Sequence, residues 1–210
     1  VRYIGVMPYG PGTAASTNAT EAPMPIAGTF SNLYLRFPTA IAAGTSYTVA
    51  LMVNNAATSL SAQITDAGLT AQDTSNTVTV AAGDMVSFRI TPSGTPASNT
   101  IFQVGVVFDA TTSGESPILS LGSTASTTGT VYASLGSYSG WDAGENLRSV
   151  VFPTNGAISN MYVDLSTAPG VGKSHTITLV KNGTPTSQTC TVSDTATTCT
   201  DLTNAVTFAP

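Results

Sequence analysis

The sequence predicts an all-β protein made of two tandem, homologous β-sandwich domains, and three observations lead to this prediction. Helical periodicity is nearly absent, whereas period-two alternation and runs of β-branched residues dominate the chain. Turn-forming pairs such as Asn54-Asn55 and Asn182-Gly183 separate these runs. The stretch GTFSNLYLRF at 28–37 also returns as GAISNMYVDL at 156–165.

The repeat extends well beyond these ten residues. Residues 28–82 align with 156–210 at a constant offset of 128 without a gap, and 20 of the 55 positions are identical. A repeat of this length is a whole domain, because solenoid units span about 20–50 residues. We therefore assign the chain to a first domain, a Ser/Thr/Gly-rich linker and a second domain, at residues 1–110, 111–129 and 130–210.

Each copy is expected to be a sandwich of short strands. In the first copy the pattern predicts strands at about 1–7, 24–30, 32–37, 46–53, 59–65, 76–80, 84–91 and 100–109. The segment 91–96 carries two prolines and is expected to be a loop. Short strands with frequent turns fit a two-sheet jelly roll, with an immunoglobulin-like sandwich as the alternative.

The second copy is expected to lack its last two strands in this chain. The first copy continues through residues 83–108, which are rich in Val, Phe and Ile, whereas Pro210 is the counterpart of Ala82. A sandwich without those strands would expose apolar core and unpaired strand edges. We expect either that the protein continues beyond this sequence or that another chain supplies the strands by β-strand addition.

Composition and charge narrow the classes of function. Charged residues make up 8% of the chain, against about 25% in an average soluble domain. The net charge of −5 with six basic residues disfavours nucleic-acid binding. No run of eighteen apolar residues is present, so no membrane span is expected. No signal peptide is visible, and a first residue other than Met leaves targeting undecided.

The two cysteines, Cys190 and Cys199, both belong to the second copy. At the 128-residue offset they replace Ala62 and Ala71, so both positions change together. The simplest interpretation is a disulfide across a short hairpin, and the alternative is two free buried thiols. A disulfide would indicate an oxidising setting such as the extracellular space or a virion surface.

No set of residues with the pattern of a catalytic or metal site is apparent. The only histidine, His175, aligns with Tyr47, and no nucleophile elbow is present. We therefore predict no enzymatic activity, no catalytic residue, no cofactor and no metal. Four aspartates recur in both copies and are expected to cap turns, with a calcium site as the alternative: Asp66, Asp73, Asp194 and Asp201.

The loop SGWDAGENL at 139–147 is the least repeated stretch and contains the only tryptophan. We predict a partner contact at Trp141, Asp142 and Glu145, because tryptophan is enriched at binding hot spots. The alternative is that Trp141 plugs one end of the sandwich. A glycan is a further, weaker candidate for the ligand of this loop.

The segments GTFSNLYLRF…AAGTSYTVALMVNN and GAISNMYVDLSTAPGVGKSHTITLVKNGTPTS resemble the Ser/Thr-rich β-sandwich repeats of phage virion structural proteins, namely capsid decoration proteins and fibres. The resemblance implies a non-enzymatic structural role on the surface of a tailed phage, with other virion proteins or further copies of the chain as partners. A bacterial or archaeal extracellular adhesin or filament subunit is the first alternative. A carbohydrate-binding module centred on Trp141 is the second.

Overall fold

The computed structural model describes residues 2–4, 20–95, 103–120, 129–136 and 140–209. Within these ranges the chain is all-β apart from one short 3₁₀ turn, Glu145–Leu147, which confirms the all-β part of the prediction. The chain divides into two compact units between Ser116 and Pro117, inside the segment predicted as a linker. Among the described residues, no helix is long and apolar enough to cross a membrane.

The strands of the two units follow one another in chain order. The first unit contains β1 (Arg2–Ile4), β2 (Ala22–Pro23), β3 (Gly28–Arg36), β4 (Ser46–Val53), β5 (Ala56–Thr65), β6 (Thr70–Asp73), β7 (Val78–Val80), β8 (Met85–Ser93) and β9 (Gln103–Ala110). The second unit contains β10 (Gly156–Asp164), β11 (Gly170–Lys181), β12 (Thr184–Asp194) and β13 (Thr198–Phe208).

The first unit has a β-sandwich-like arrangement of two antiparallel sheets. One sheet has the order β1-β8-β4-β5, with β2 also paired to β8. In the other, β3 pairs with β6 and β7 on one edge and with β9 on the opposite edge. Burying a large apolar side chain contributes about 1.5–3 kcal/mol. Many such residues from both sheets are fully buried, among them Phe30, Leu33, Val49, Leu51, Leu60 and Ile64.

The strands predicted at 24–30 and 32–37 are not two separate strands. The structure has a single strand, β3, whose register against β9 shifts between Ser31 and Tyr34. Asn32 lies in this shift with a φ of 51°. Asparagine tolerates the left-handed region at low cost, so the strand bends there without ending. The prediction also missed β6, a strand of only four residues.

The prediction that 91–96 is a loop is wrong for its first three residues. Strand β8 runs through Pro92 to Ser93, and Pro92 pairs with Tyr47 of β4. The hydrogen-bonding side alternates along β4, and the backbone groups of Tyr47 face β5. The position of Pro92 therefore requires no backbone NH to bond to β4. On its other side, the described pairing with β1 ends at Ile90. A proline is tolerated in a strand where its position needs no donor.

The second unit repeats the strand pairing of the first at the 128-residue offset. Strand β10 pairs with β13, and Met161 lies opposite Asp201 as Leu33 lies opposite Asp73. Strand β11 pairs with β12 in the register of β4 with β5. Both hairpins even carry their irregularity at the same place, after Ala50 in the first unit and after Thr178 in the second.

The buried core of the second unit is much smaller. Positions that are fully buried in β3 and β4, such as Phe30 and Val49, correspond to the half-buried Ile158 and Ile177. Among the described residues of this unit, the buried apolar side chains are Leu119, Leu179, Cys190, Val192 and Val206. The second unit therefore leaves partly exposed many of the positions that are buried in the core of the first, although Leu179 and Gln188 are buried as Leu51 and Leu60 are.

Candidate functional site

The predicted partner-contact loop is held to its own unit by its two acids. Asp142 forms an isolated bridge with Tyr132, accepts the backbone NH of Gly144 at 2.8 Å and lies 3.8 Å from a guanidinium nitrogen of Arg148. Glu145 accepts the backbone NH of Gly183 at 2.9 Å. Asp142 and Glu145 thus order the loop within the chain.

Trp141, the third residue of the predicted contact, is half-buried. The residue is therefore partly accessible to solvent, and its contact with a partner stays a prediction. The link from Glu145 to Gly183 places this loop beside the turn between β11 and β12. The loop consequently borders the β11–β12 hairpin.

Cys190 and Cys199 are joined by a disulfide in the structure. The bond links β12 to β13, which are the last two strands of the second unit. Their counterparts Ala62 and Ala71 lie on β5 and β6. A covalent link adds stability mainly by restricting the unfolded chain. It therefore reinforces the unit that has the smaller apolar core.

One aspartate in each unit clips together two strands and a turn. Asp73 accepts the backbone NH groups of Ser61, Ser75 and Asn76 at 3.0–3.1 Å, as well as the Asn76 carboxamide at 3.0 Å. Burial by itself would raise the pKa of Asp73, but the hydrogen bonds from Asn76, Ser61 and Ser75 together outweigh it and hold that pKa at about 2. The carboxylate is therefore ionised in the folded protein at neutral pH.

Asp201 forms the same clip in the second unit. It accepts the backbone NH groups of Thr189, Thr203 and Asn204 and the Asn204 carboxamide. The Asn204 side chain, followed by the backbone NH groups of Asn204 and Thr189, holds the pKa of Asp201 well below its ordinary value. These bonds follow those of Asp73 at the 128-residue offset, so the two units share this local structure.

The other recurring aspartates also bind backbone. Asp66 accepts the NH of Gly44 at 2.7 Å, and Asp194 accepts the NH of Gly172 at the same distance. All four recurring aspartates are thus occupied by chain NH groups, as expected of residues that cap turns. Across the described ranges, no cluster of three or more His, Cys, Asp or Glu side chains is positioned to hold a metal ion.

The strongest candidate for a functional surface is the outer edge of β11. In the first unit β4 lies between β5 and β8, whereas within residues 140–209 β11 pairs with β12 alone. Likewise β3 lies between β6 or β7 and β9, whereas β10 pairs with β13 alone in the same range. Within the described residues, β3 and β4, which have neighbours on both sides, therefore correspond to β10 and β11, which have a neighbour on one side only.

The backbone groups that face this open edge can be identified from the first unit. The backbone NH of Asn54 donates to the carbonyl of Met85 at the end of the β4–β8 pair, 2.9 Å away. The hydrogen-bonding side alternates along an antiparallel strand, and the β4–β8 register is unbroken. The outward-facing residues are therefore Thr48, Ala50 and Met52 in β4, and Thr176, Thr178 and Val180 in β11.

A second segment borders β8 in the first unit. Ala22 and Pro23 of β2 pair with Val86 and Met85, and the backbone of Met24 exchanges hydrogen bonds with Gly83 and Asp84. Ala22 is only 3% exposed and Met24 is fully buried beside this strand. Strand β8 is consequently held along both of its edges.

The counterparts of Ala22 and Pro23 are exposed to solvent in the second unit. At the 128-residue offset they are Val150 and Val151, which are 46% and 91% exposed. The next residue, Phe152, stacks on Phe208 with ring centroids 4.7 Å apart, which anchors the segment. Sequence reasoning missed these two valines. Extending the ungapped alignment upstream, where Pro153 falls on Pro25, would have found them.

The open edge strand also carries both lysines of the chain, Lys173 and Lys181. The counterpart of Lys181 is Val53 in β4, and the counterpart of Lys173 is Thr45, just before β4. Lysines on an edge strand oppose indiscriminate pairing with other strands, because pairing would desolvate or crowd the charge. Lys173 is exposed, whereas the Lys181 ammonium donates to the backbone carbonyl of Thr207 at 2.6 Å and lies 5.3 Å from the centroid of the Phe208 ring. Protection of this edge by a solvated charge therefore comes from Lys173.

Comparison with models of known protein families, with curated protein sequences and with solved structures finds no match to this chain.

Proposed function

We propose that this protein is a non-enzymatic structural subunit of an extracellular assembly, namely the surface of a tailed-phage virion. In this proposal, the protein consists of two homologous tandem β-sandwich domains. The observation that carries the proposal is the open edge of β11, accompanied by the exposed Val150 and Val151. Exposed apolar side chains beside an unpaired strand edge are typical of a surface that is covered on assembly.

The matched geometry of the two units supports a duplicated domain. The clips of Asp73 and Asp201, the bonds from Gly44 and Gly172, and the strand registers agree at the same offset. Tandem copies of one sandwich, one with a large buried core and one with an open edge, suit a subunit that joins neighbours rather than a catalyst.

The setting outside a cell is supported by the disulfide between Cys190 and Cys199. Structural disulfides persist in oxidising surroundings and are rare in the reducing cytosol. The low charged fraction of 8%, with its hydroxyl-rich surface, suits the same role. The resemblance of the repeats to capsid decoration and fibre domains directs the proposal to a virion.

The second candidate is a subunit of a bacterial or archaeal surface filament or an adhesin. The same open edge favours it, because filaments also grow by covering exposed strand edges. The two candidates differ in where the protein resides. They do not differ in what the second unit does.

Immunoelectron microscopy with antibodies against the purified chain tests the proposed function. The sample is a culture of the source organism before and after induction of particle release. Gold label on tailed particles is the expected result. Label confined to cell-surface filaments would assign the protein to the second candidate, and label confined to the cytoplasm would contradict both.

A further inference from the structure

We propose that the first unit binds an acidic saccharide, one whose sugar ring carries a carboxylate, on the outer face of the sheet that contains β3, β6 and β9. The site is a groove that we call the Tyr34 groove. Together with the three residues between them, six outward-facing residues line it: Tyr34, Arg36, Thr70, Gln72, Gln103 and Gly105. This inference goes beyond the proposed function and uses residues of the first unit alone.

The strand register places the outward-facing side chains in two rows across three strands. Tyr34 of β3 lies between Gln72 of β6 and Gly105 of β9. In the next row Arg36 lies between β6 and Gln103. Opposed residues in a sheet have Cβ atoms about 4.5–5.5 Å apart, so all of these groups can reach one ligand. The groove has a volume of about 640 Å³, within the range of about 300–1,000 Å³ that is usual for small ligands.

Tyr34 offers an aromatic surface on which a sugar ring can stack. The residue is 49% exposed, although aromatic side chains gain most from burial. Within the described residues its ring contacts no other ring and its hydroxyl has no hydrogen-bond partner. Packing within the first unit therefore does not account for a large aromatic residue at this position. The CH groups on one face of a sugar ring would cover the exposed part of the ring.

Gly105 leaves the space beside Tyr34 open. Its φ is not in the positive region, and a Cβ at this position would meet no atom within 4 Å. The fold therefore does not require glycine here, whereas at Gly28 a Cβ would collide with the ring of Phe108. Glycine weakens the interior of a strand and often marks a place where a ligand approaches closely. A sugar ring stacked on Tyr34 would extend into this space.

The charge of the groove favours a carboxylate on the sugar. Arg36 is the one charged residue among the nine that line the groove, in a chain with 11 acidic and six basic residues. Its guanidinium makes no ion pair or hydrogen bond within the described residues. A guanidinium can bind a carboxylate through two parallel NH donors. The carboxamides of Gln72 and Gln103 can both donate to and accept from sugar hydroxyls.

The second unit lacks this charge, and the size of the groove argues against a protein ligand. At the 128-residue offset Tyr34 is kept as Tyr162, but Arg36 is replaced by Asp164, which would repel a carboxylate. The site therefore belongs to the first unit only. Nine residues line the groove, whereas a stable protein interface takes about 20–30 residues on each side. A saccharide of a few rings fits this size better.

Isothermal titration calorimetry of the full chain tests the Tyr34 groove with three acidic probes, namely tri-galacturonate, a hyaluronan tetrasaccharide and sialyllactose. The methyl ester of each probe keeps its rings and removes its charge. We expect at least one acid to bind at least about tenfold more tightly than its ester, and to bind more weakly as salt is added. Binding of none of the three acids, or equal binding of acids and esters, would overturn the proposal.

Substitutions locate the binding on the groove. Tyr34→Ala and Arg36→Asp, which copies the second unit, should each weaken binding at least about tenfold, whereas Tyr34→Phe should keep most of it. Gly105→Val fills the space beside the ring and should also weaken binding at least about tenfold. Tyr162→Ala, the matched change in the second unit, should leave binding unchanged. Binding that persists in both Tyr34→Ala and Gly105→Val would show that the sugar binds elsewhere.

Thermal unfolding without sugar separates a ligand site from a surface that the protein covers itself. Gly105→Val should not lower the unfolding temperature, because its side chain has room and valine favours strands. Tyr34→Ala should leave that temperature nearly unchanged. A marked decrease in both variants would show that the protein's own chain fills the groove, and this would overturn the proposal. Immunolabelling is independent of these results, so a failure here leaves the proposed function standing.

Discussion

Gln188 occupies in the second unit the position that Leu60 occupies in the first, and both side chains are fully buried. Neither Oε1 nor Nε2 of Gln188 has a hydrogen-bond partner within the described residues. A buried polar group without a partner costs stability, because it has lost its bonds to water. The second unit therefore carries a destabilising residue where the first has an apolar one.

Gln188→Leu should stabilise the second unit by about 1–3 kcal/mol, because it removes two unpaired polar atoms and keeps a side chain of similar volume. The measurement is chemical denaturation of the full chain. The matched exchange Leu60→Gln should destabilise the first unit by a similar amount. A Gln188→Leu protein that is less stable than the original would show that this carboxamide has a partner.

Acid should weaken both units through their aspartate clips. The folded pKa of Asp73 is about 2, below its ordinary value of 3.8, and that of Asp201 is lowered as well. A depressed folded pKa contributes stability above the unfolded pKa, and this contribution is lost as the pH falls through the folded value. The free energy of unfolding should therefore fall between about pH 4 and pH 2.

Urea unfolding at a series of pH values measures this dependence. Asp73→Asn should be less stable than the original protein at pH 6, since an amide accepts fewer of these bonds. It should also lose less stability between pH 4 and pH 2. Identical pH profiles for the two proteins would show that Asp73 does not contribute to the acid sensitivity.

Reduction of the disulfide should selectively weaken the second unit. Cys190 and Cys199 are nine residues apart in the sequence. On a chain-entropy estimate, closing a loop of this size stabilises the folded protein by about 2–3 kcal/mol. Alkylation without reduction, followed by mass spectrometry, should label no cysteine. The double change Cys190→Ala and Cys199→Ala copies Ala62 and Ala71 and should reproduce the loss seen on reduction. Two labelled cysteines in the unreduced protein would exclude the bond.

Proline at matched positions should destabilise the first unit more than the second. Thr48→Pro removes an NH that faces the paired strand β8, and it should cost about 1–3 kcal/mol. Thr176→Pro removes an NH that faces the open edge, so its effect on stability should be small. Thermal unfolding of both variants makes the comparison. Equal destabilisation would mean that the NH of Thr176 is already bonded.

Local features of this fold were predictable because they depend on residues close together in sequence. The turns at Asn54-Asn55 and Asn182-Gly183 follow from residues that adopt positive φ at little cost, and all four do so. The all-β class follows from the alternation of side chains. Asp73 and Asp201 were expected to cap turns, and each binds backbone two and three residues ahead.

Other features depend on contacts between distant segments, which the pattern of side chains does not encode. The continuation of β3 through Asn32 depends on β9 pairing on both sides of the bulge. Glu145 reaches Gly183 across 38 residues without any motif that links them. Val150 and Val151 were missed because their role becomes visible only when the pairing of β2 with β8 is known.

Amide hydrogen exchange of the full chain tests the open edge of β11 most directly. The comparison is between Thr48 and Ala50, whose NH groups face β8, and their counterparts Thr176 and Thr178. The open edge predicts rapid exchange at Thr176 and Thr178, strong protection at Thr48 and Ala50, and protection at all four in a fusion that carries residues 83–110 a second time after Pro210. Equal protection of the two pairs in the unfused chain would contradict the open edge and the assembly role built on it.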